Sequence, residues 1–128
     1  NITGSANETA AHLLESERIT VMFCSFDQPP MILRLYGQAR AIHPRDHEWG
    51  QWYTLFPETP GVRQGIGMEV DLVQSFCGAG VPLFDFVGER TLLMDWVEKK
   101  GPEGVKAYWE ARNTVSLDGK PTGILSEG

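Results

Sequence analysis

Long apolar runs are missing from this chain of 128 residues. No stretch approaches the roughly 18–20 uninterrupted apolar residues of a membrane helix, so no spanning segment and no membrane partner are expected. Clustered positive charge is missing too. Eleven Lys and Arg stand against seventeen Asp and Glu, a net charge of −6, and the only adjacent basic pair is Lys99-Lys100. Phosphate-backbone binding runs on grouped cations, so nucleic acid is not an expected partner. Cysteine is scarce. Cys24 and Cys77 fit neither a metal spacing nor a disulfide framework, and Cys24 lies in an apolar run where a buried thiol is expected. A reducing, cytoplasmic setting follows as the simpler expectation. The polar opening Asn1-Ile2-Thr3-Gly4-Ser5 does not read as a secretory signal. There is no internal repeat, low-complexity tract, nucleophile triad, catalytic acid–base pair or Walker loop.

What is present suits one domain over residues 1–128, since 41% of the chain is apolar and can fill one core. Ser5-Ala6-Asn7-Glu8 has the pattern of a capping box and predicts a helix over 6–16 with Ala10, Leu13 and Leu14 inward. Ile19 to Phe26 is apolar on both faces and predicts a central strand covered on two sides. Asp27-Gln28-Pro29-Pro30 is a turn, and Met31 to Ile42 completes a hairpin, with Gly37 placed where a bend or bulge is expected. Trp49, Trp52, Tyr53 and Phe56 recur at helical spacing over 46–56, ahead of Pro57. Ile66 to Phe76 alternates as a half-buried strand. Cys77-Gly78-Ala79-Gly80-Val81-Pro82 is a flexible loop. A helix over 91–99 burying Leu92, Leu93, Trp96 and Val97 is broken at Gly101-Pro102, and a second runs to Asn113 on Val105, Tyr108 and Trp109. The tail from Ser116 is expected to be extended. Three strands cannot close a barrel, so the reading requires further strands before Asn1 or a partner chain over the exposed faces.

Few residue groupings carry chemistry. Thr3-Gly4-Ser5 ahead of a helix offers hydroxyls, a close backbone and free amides to a phosphate, although an ordinary helix cap is the plainer account. His43, Asp46, His47 and Glu48 have a ligand-like spacing, but Pro44 interrupts the helix that would align them, and no metal site is expected. Cys77 has no neighbouring base to make it a nucleophile. Arg34 and Arg40 lie on one strand face and can meet a phosphate or a partner carboxylate, with surface arginines the blander account. The aromatic stripe from Trp49 to Phe56 reads as core or subunit contact.

In combination these blocks resemble the flavin-binding family related to pyridoxamine 5'-phosphate oxidase. The resemblance is carried by Thr3-Gly4-Ser5-Ala6-Asn7-Glu8-Thr9-Ala10-Ala11-His12-Leu13, by Arg18 to Phe26, and by Ile32-Leu33-Arg34-Leu35-Tyr36-Gly37. Cys77 to Leu83, Asp85-Phe86-Val87-Gly88-Glu89-Arg90 and Lys100-Gly101-Pro102-Glu103-Gly104 look like the C-terminal signature of one bacterial branch. It implies an α+β fold, an FMN-binding split β-barrel, with residues 1–76 as the barrel portion and 77–128 as a C-terminal loop and helices. Its first strands fall outside this chain. It further implies a homodimer, a small-molecule substrate, and FMN between the subunits. The phosphate would fall on Thr3, Gly4, Ser5, Asn7 and Thr9, with Arg34 as a further cofactor contact and Cys77, Gly78, Val81 and Pro82 shaping the pocket. The implied activity is hydride transfer through the flavin, chemistry the cofactor carries while the protein binds and orients it. A deazaflavin-dependent reductase on the same barrel, or a non-catalytic protein that holds flavin, haem or nothing, are the alternatives. Many relatives place Lys or Arg in the phosphate turn, where this chain has Asn7 and Glu8.

Overall fold

An antiparallel meander frames the computed structural model, which describes residues 1–125. Strand β1 (Arg18–Cys24) pairs with β2 (Ile32–Ile42), which pairs with β3 (Gly65–Phe76), in the spatial order β1-β2-β3. The architecture is α+β with an open sheet. The strand predictions hold because β-branched and aromatic residues fill all three runs. The expected irregularity at Gly37 is a bulge: Tyr36 pairs with Leu72 and Gly37 with Val70, which leaves Asp71 unmatched. A Cβ at position 37 would lie 1.9 Å from the Glu69 carbonyl oxygen, so only glycine permits this approach of β2 to β3.

The helices are shorter than their sequence patterns. Helix α1 is Glu8–Leu13, not 6–16, and packs against β2. The capping box does not form: Asn7 occupies the cap without a side-chain bond, and both Glu8 carboxylate oxygens lie 3.0 Å from the Leu117 amide instead. A long-range donor has outcompeted the local one. Helix α2 is only Trp49–Tyr53, because turns closed by His43 and Asp46 occupy the approach expected to be helical. Helix α3 (Leu92–Arg112) is kinked at Gly101, whose φ of 67° marks the break expected at Gly101-Pro102. Of its predicted inward residues, Val97 and Val105 are buried, whereas Leu92 is 72% exposed. The tail is not extended. Ser116 and Lys120 close a turn, Val115 bridges Pro121, and Arg45 donates to the carbonyls of Gly123 and Ile124. Its last three positions, 126–128, lie outside the described residues.

Coverage of the sheet is one-sided along its length. Ala10, Ala11 and Leu13 from α1 meet the Ala39–Ile42 end of β2, where the core sits. The central place belongs to β2, and β1, expected to be covered on two sides, is an edge strand with Met22 and Phe23 exposed. From Glu69 onward every residue of β3 is exposed, so the expected alternation is lost where nothing lies over the sheet. Cys24 is half-buried rather than buried, Cys77 is exposed, and both are free thiols. Among the described residues no helix is long and apolar enough to cross a membrane.

Candidate functional site

The opening segment is held against the stretch that leads into β3. Ile2 bridges Val62 in antiparallel sense, the Thr3 amide donates to the Gly61 carbonyl at 2.9 Å, and the Arg63 amide donates to the Asn1 carbonyl at 3.1 Å. Beneath the turn that follows lies a buried polar cluster. Gln64 and Asn7 exchange amide hydrogen bonds at 2.9 and 3.3 Å. The Thr3 hydroxyl donates to the Gly61 carbonyl at 2.7 Å and accepts from the Trp109 indole at 2.8 Å. Asn113, fully buried at the end of α3, donates to the Gly4 carbonyl at 2.9 Å.

Arg63 is the centre of this cluster and is 5% exposed. Its guanidinium donates to the Ala6 carbonyl at 2.6 Å, to Asn1 Oδ1 at 2.7 Å, to Asn113 Oδ1 at 2.8 Å and more weakly to the Gly4 carbonyl at 3.4 Å. Every one of these acceptors is neutral. Among the described residues the ion pairs lie elsewhere, joining Arg40 to Glu48 and Lys120 to Glu15, and His12 lies against Asp118. Burial pulls the Arg63 pKa down, and only the Tyr108 phenol draws it back up.

The expected phosphate residues divide into two groups. Thr3 and Asn7 are buried, and their polar atoms are engaged with the frame. Ser5 and Thr9 are exposed, and their hydroxyls make no hydrogen bond among the described residues. At Gly4 the space a Cβ would fill is open, so a ligand can reach the backbone there. An open cleft of ≈ 540 Å³ lies over the turn, with Ser5, Glu8, Arg112 and Ser116 on its walls. Arg34 is not brought to this place by its own chain. Its guanidinium stacks 4.7 Å over the Phe76 ring, about 26 Å of strand from the Ile42–Gly65 pair that adjoins Gln64. Gly78 is buried against Met31, Val81 is half-buried, and Cys77 and Pro82 are exposed beside them. A second cavity, ≈ 460 Å³ and apolar, is walled by Ile42, Trp49, Trp52, Tyr53 and Phe56, with Trp49 stacked on Tyr53 at 5.0 Å.

The ligand-like run around His43 does not assemble: the His43 amide binds Asp46 Oδ2 at 2.7 Å, and Glu48 pairs with Arg40. Glu8, His12 and Asp118 do converge, with ligand atoms within 4.8 Å of one another. They act as a clasp, Glu8 taking the Leu117 amide and His12 lying 3.1 Å from Asp118. Sequence reasoning missed Arg63, Gln64, Trp109 and Asn113. Their partners are 50 or more positions away, and the only local signal was a polar pair, Arg63-Gln64, at the head of an apolar strand.

The fold thus defines a class: an open antiparallel meander whose opening turn is shaped from below by a buried polar cluster. No protein-family model matches the chain, and no solved structure matches it. A curated protein of Aspergillus flavus, the pyridoxamine 5'-phosphate oxidase family protein ustO, is 41% identical over 85 residues, which is 65% of this chain and 34% of that protein. The chain therefore spans about a third of this relative's length.

Proposed function

We propose that this chain is part of an FMN-binding oxidoreductase on the split barrel related to pyridoxamine 5'-phosphate oxidase, working as a homodimer on a small-molecule substrate in a reducing, cytoplasmic setting. The similarity to the Aspergillus flavus protein carries the reading. The donor set of the opening turn supports it. Ser5 and Thr9 offer free hydroxyls, Gly4 an approachable backbone, and Thr3 and Asn7 hold the turn in shape beneath them. Those residues fit a phosphate. When bound, FMN supplies the hydride chemistry, and the chain's own groups hold the phosphate end and orient the ring. The open sheet supports the homodimer, because Phe23 and Val73 on one face and Met22 and Leu72 on the other are each at least half exposed, and such apolar surface calls for a cover.

The test is a fluorescence titration of the full chain with FMN, together with an absorption spectrum of the purified protein. Quenching at micromolar flavin with a flavin absorption band is the expected result. A deazaflavin spectrum moves the protein to the related reductases, and absence of quenching sinks the flavin reading.

A further inference from the structure

Arg63 is a cation taken out of water without a counter-ion among the described residues. A buried guanidinium is ordinarily matched by a carboxylate, because neutral hydrogen bonds replace its hydration only in part. Here Asn1, Gly4, Ala6 and Asn113 satisfy its donors and leave its charge whole. The positive charge lies directly under the turn, since two of its acceptors are the backbone carbonyls of that turn. Those carbonyls point inward at Arg63, and the outer side of the same turn carries the free Ser5 hydroxyl and the open backbone of Gly4.

We propose that Arg63 is a positioning residue and built-in counter-charge for an anionic group bound over the Gly4–Ala6 turn, which in the flavin reading above, on which this inference rests, is the FMN phosphate. It works through the turn rather than by contact. It replaces from below the Lys or Arg that many relatives of the resembled family carry in the turn, where this chain has Asn7 and Glu8. A charge acting through a thin, partly desolvated layer contributes roughly ten- to a hundredfold in affinity for a phosphate.

The discriminating measurement compares FMN with riboflavin, which has the same ring and no phosphate. Both are titrated against the full chain, its Arg63→Met and Arg63→Lys variants, and Asn113→Asp. The last puts a carboxylate where Asn113 Oδ1 lies 2.8 Å from the guanidinium, so it neutralises the charge while the frame stays paired, at the loss of the bond to Gly4. The preference for FMN over riboflavin should fall about tenfold or more in Arg63→Met and Asn113→Asp and persist in Arg63→Lys. A purely structural role lowers both affinities together and leaves the ratio unchanged, which would overturn the proposal. Should Arg63→Met fail to fold, the ratio in Asn113→Asp decides alone. Thermal stabilisation by inorganic phosphate over chloride at matched ionic strength separates the two readings. If phosphate stabilises the wild type but not Asn113→Asp while FMN does not bind, the anion site stands and the flavin reading falls. If neither binds, both fall. If FMN binds with an unaltered preference in Asn113→Asp, the counter-charge alone is refuted.

Discussion

The two ends of the sheet are built on opposite terms. At the Ile42–Gly65 end, α1, the opening segment and α3 meet, and among the described residues eight buried polar or charged side chains lie with eight buried apolar ones. At the Cys24–Phe76 end no helix of the described residues covers the strands, Phe84 packs edge-on to Phe26, and Phe23, Phe26, Phe84 and Phe86 are each about half exposed or more. The first end is packed and specified by directional hydrogen bonds. The second presents non-directional apolar surface, which any fitting cover can bury. Shape is thus fixed in the first, and it is the second that the proposed homodimer would cover.

That contrast can be broken by mutation. The largest effect is expected at Ile42, which is 0% exposed at the closed end. Ile42→Ala should cost about 2–5 kcal/mol, read by urea denaturation, and a loss under 1 kcal/mol would mean that the closed end is not the core. Next comes Trp109→Phe, which keeps the ring and strands the Thr3 hydroxyl without its indole donor, for about 1–2 kcal/mol. A smaller effect is tied to pH. His43 is buried with no partner for Nδ1 among the described residues, and burial, helped by Arg45 and opposed by Asp46, lowers its pKa from 6.5. The unfolded chain therefore takes up this proton first. Stability from the neutral imidazole is whole above pH 6.5 and declines as the pH falls below it, by at most about 1.4 kcal/mol per pH unit. Thermal melts of His43→Gln from pH 7.5 to pH 5.5 should be flatter than those of the wild type. The smallest change in monomer stability, within about 0.5 kcal/mol, is expected for Phe23→Ser at the open end. The same variant should weaken self-association in sedimentation, and a large loss of monomer stability there would erase the distinction between the ends.

What was legible in the sequence was local. β-branched and aromatic runs marked all three strands, Gly37 marked its bulge, and Gly101-Pro102 marked the break in α3, because each depends on neighbours within a few positions. The capping box at Ser5 was legible too, and misleading: a local motif promises a bond only when no distant donor competes, and the Leu117 amide does. The cluster around Arg63 was invisible for the same reason reversed. Its chemistry exists only once Asn1, Ala6 and Asn113 have been brought together, and nothing in the run Gly61-Val62-Arg63-Gln64 announces those partners. Exposure was misjudged wherever a cover was assumed, as for β1 and Leu92.

The opening turn and the end of α3 meet at one place, with consequences for the order in which the site takes shape. Chains grow from the N-terminus at about 5–20 residues per second, so the opening turn emerges well before Trp109 and Asn113 exist to hold it. Until then Arg63 lacks one of its acceptors, and the Gly4 carbonyl lacks the nearer of its two donors. A nascent chain, or one clipped within α3, keeps the bonds from Gly61, Arg63 and Gln64 to the opening segment and lacks those from Trp109 and Asn113. Competence of the opening turn is therefore a report on the far end of α3, acquired only once that helix has been made.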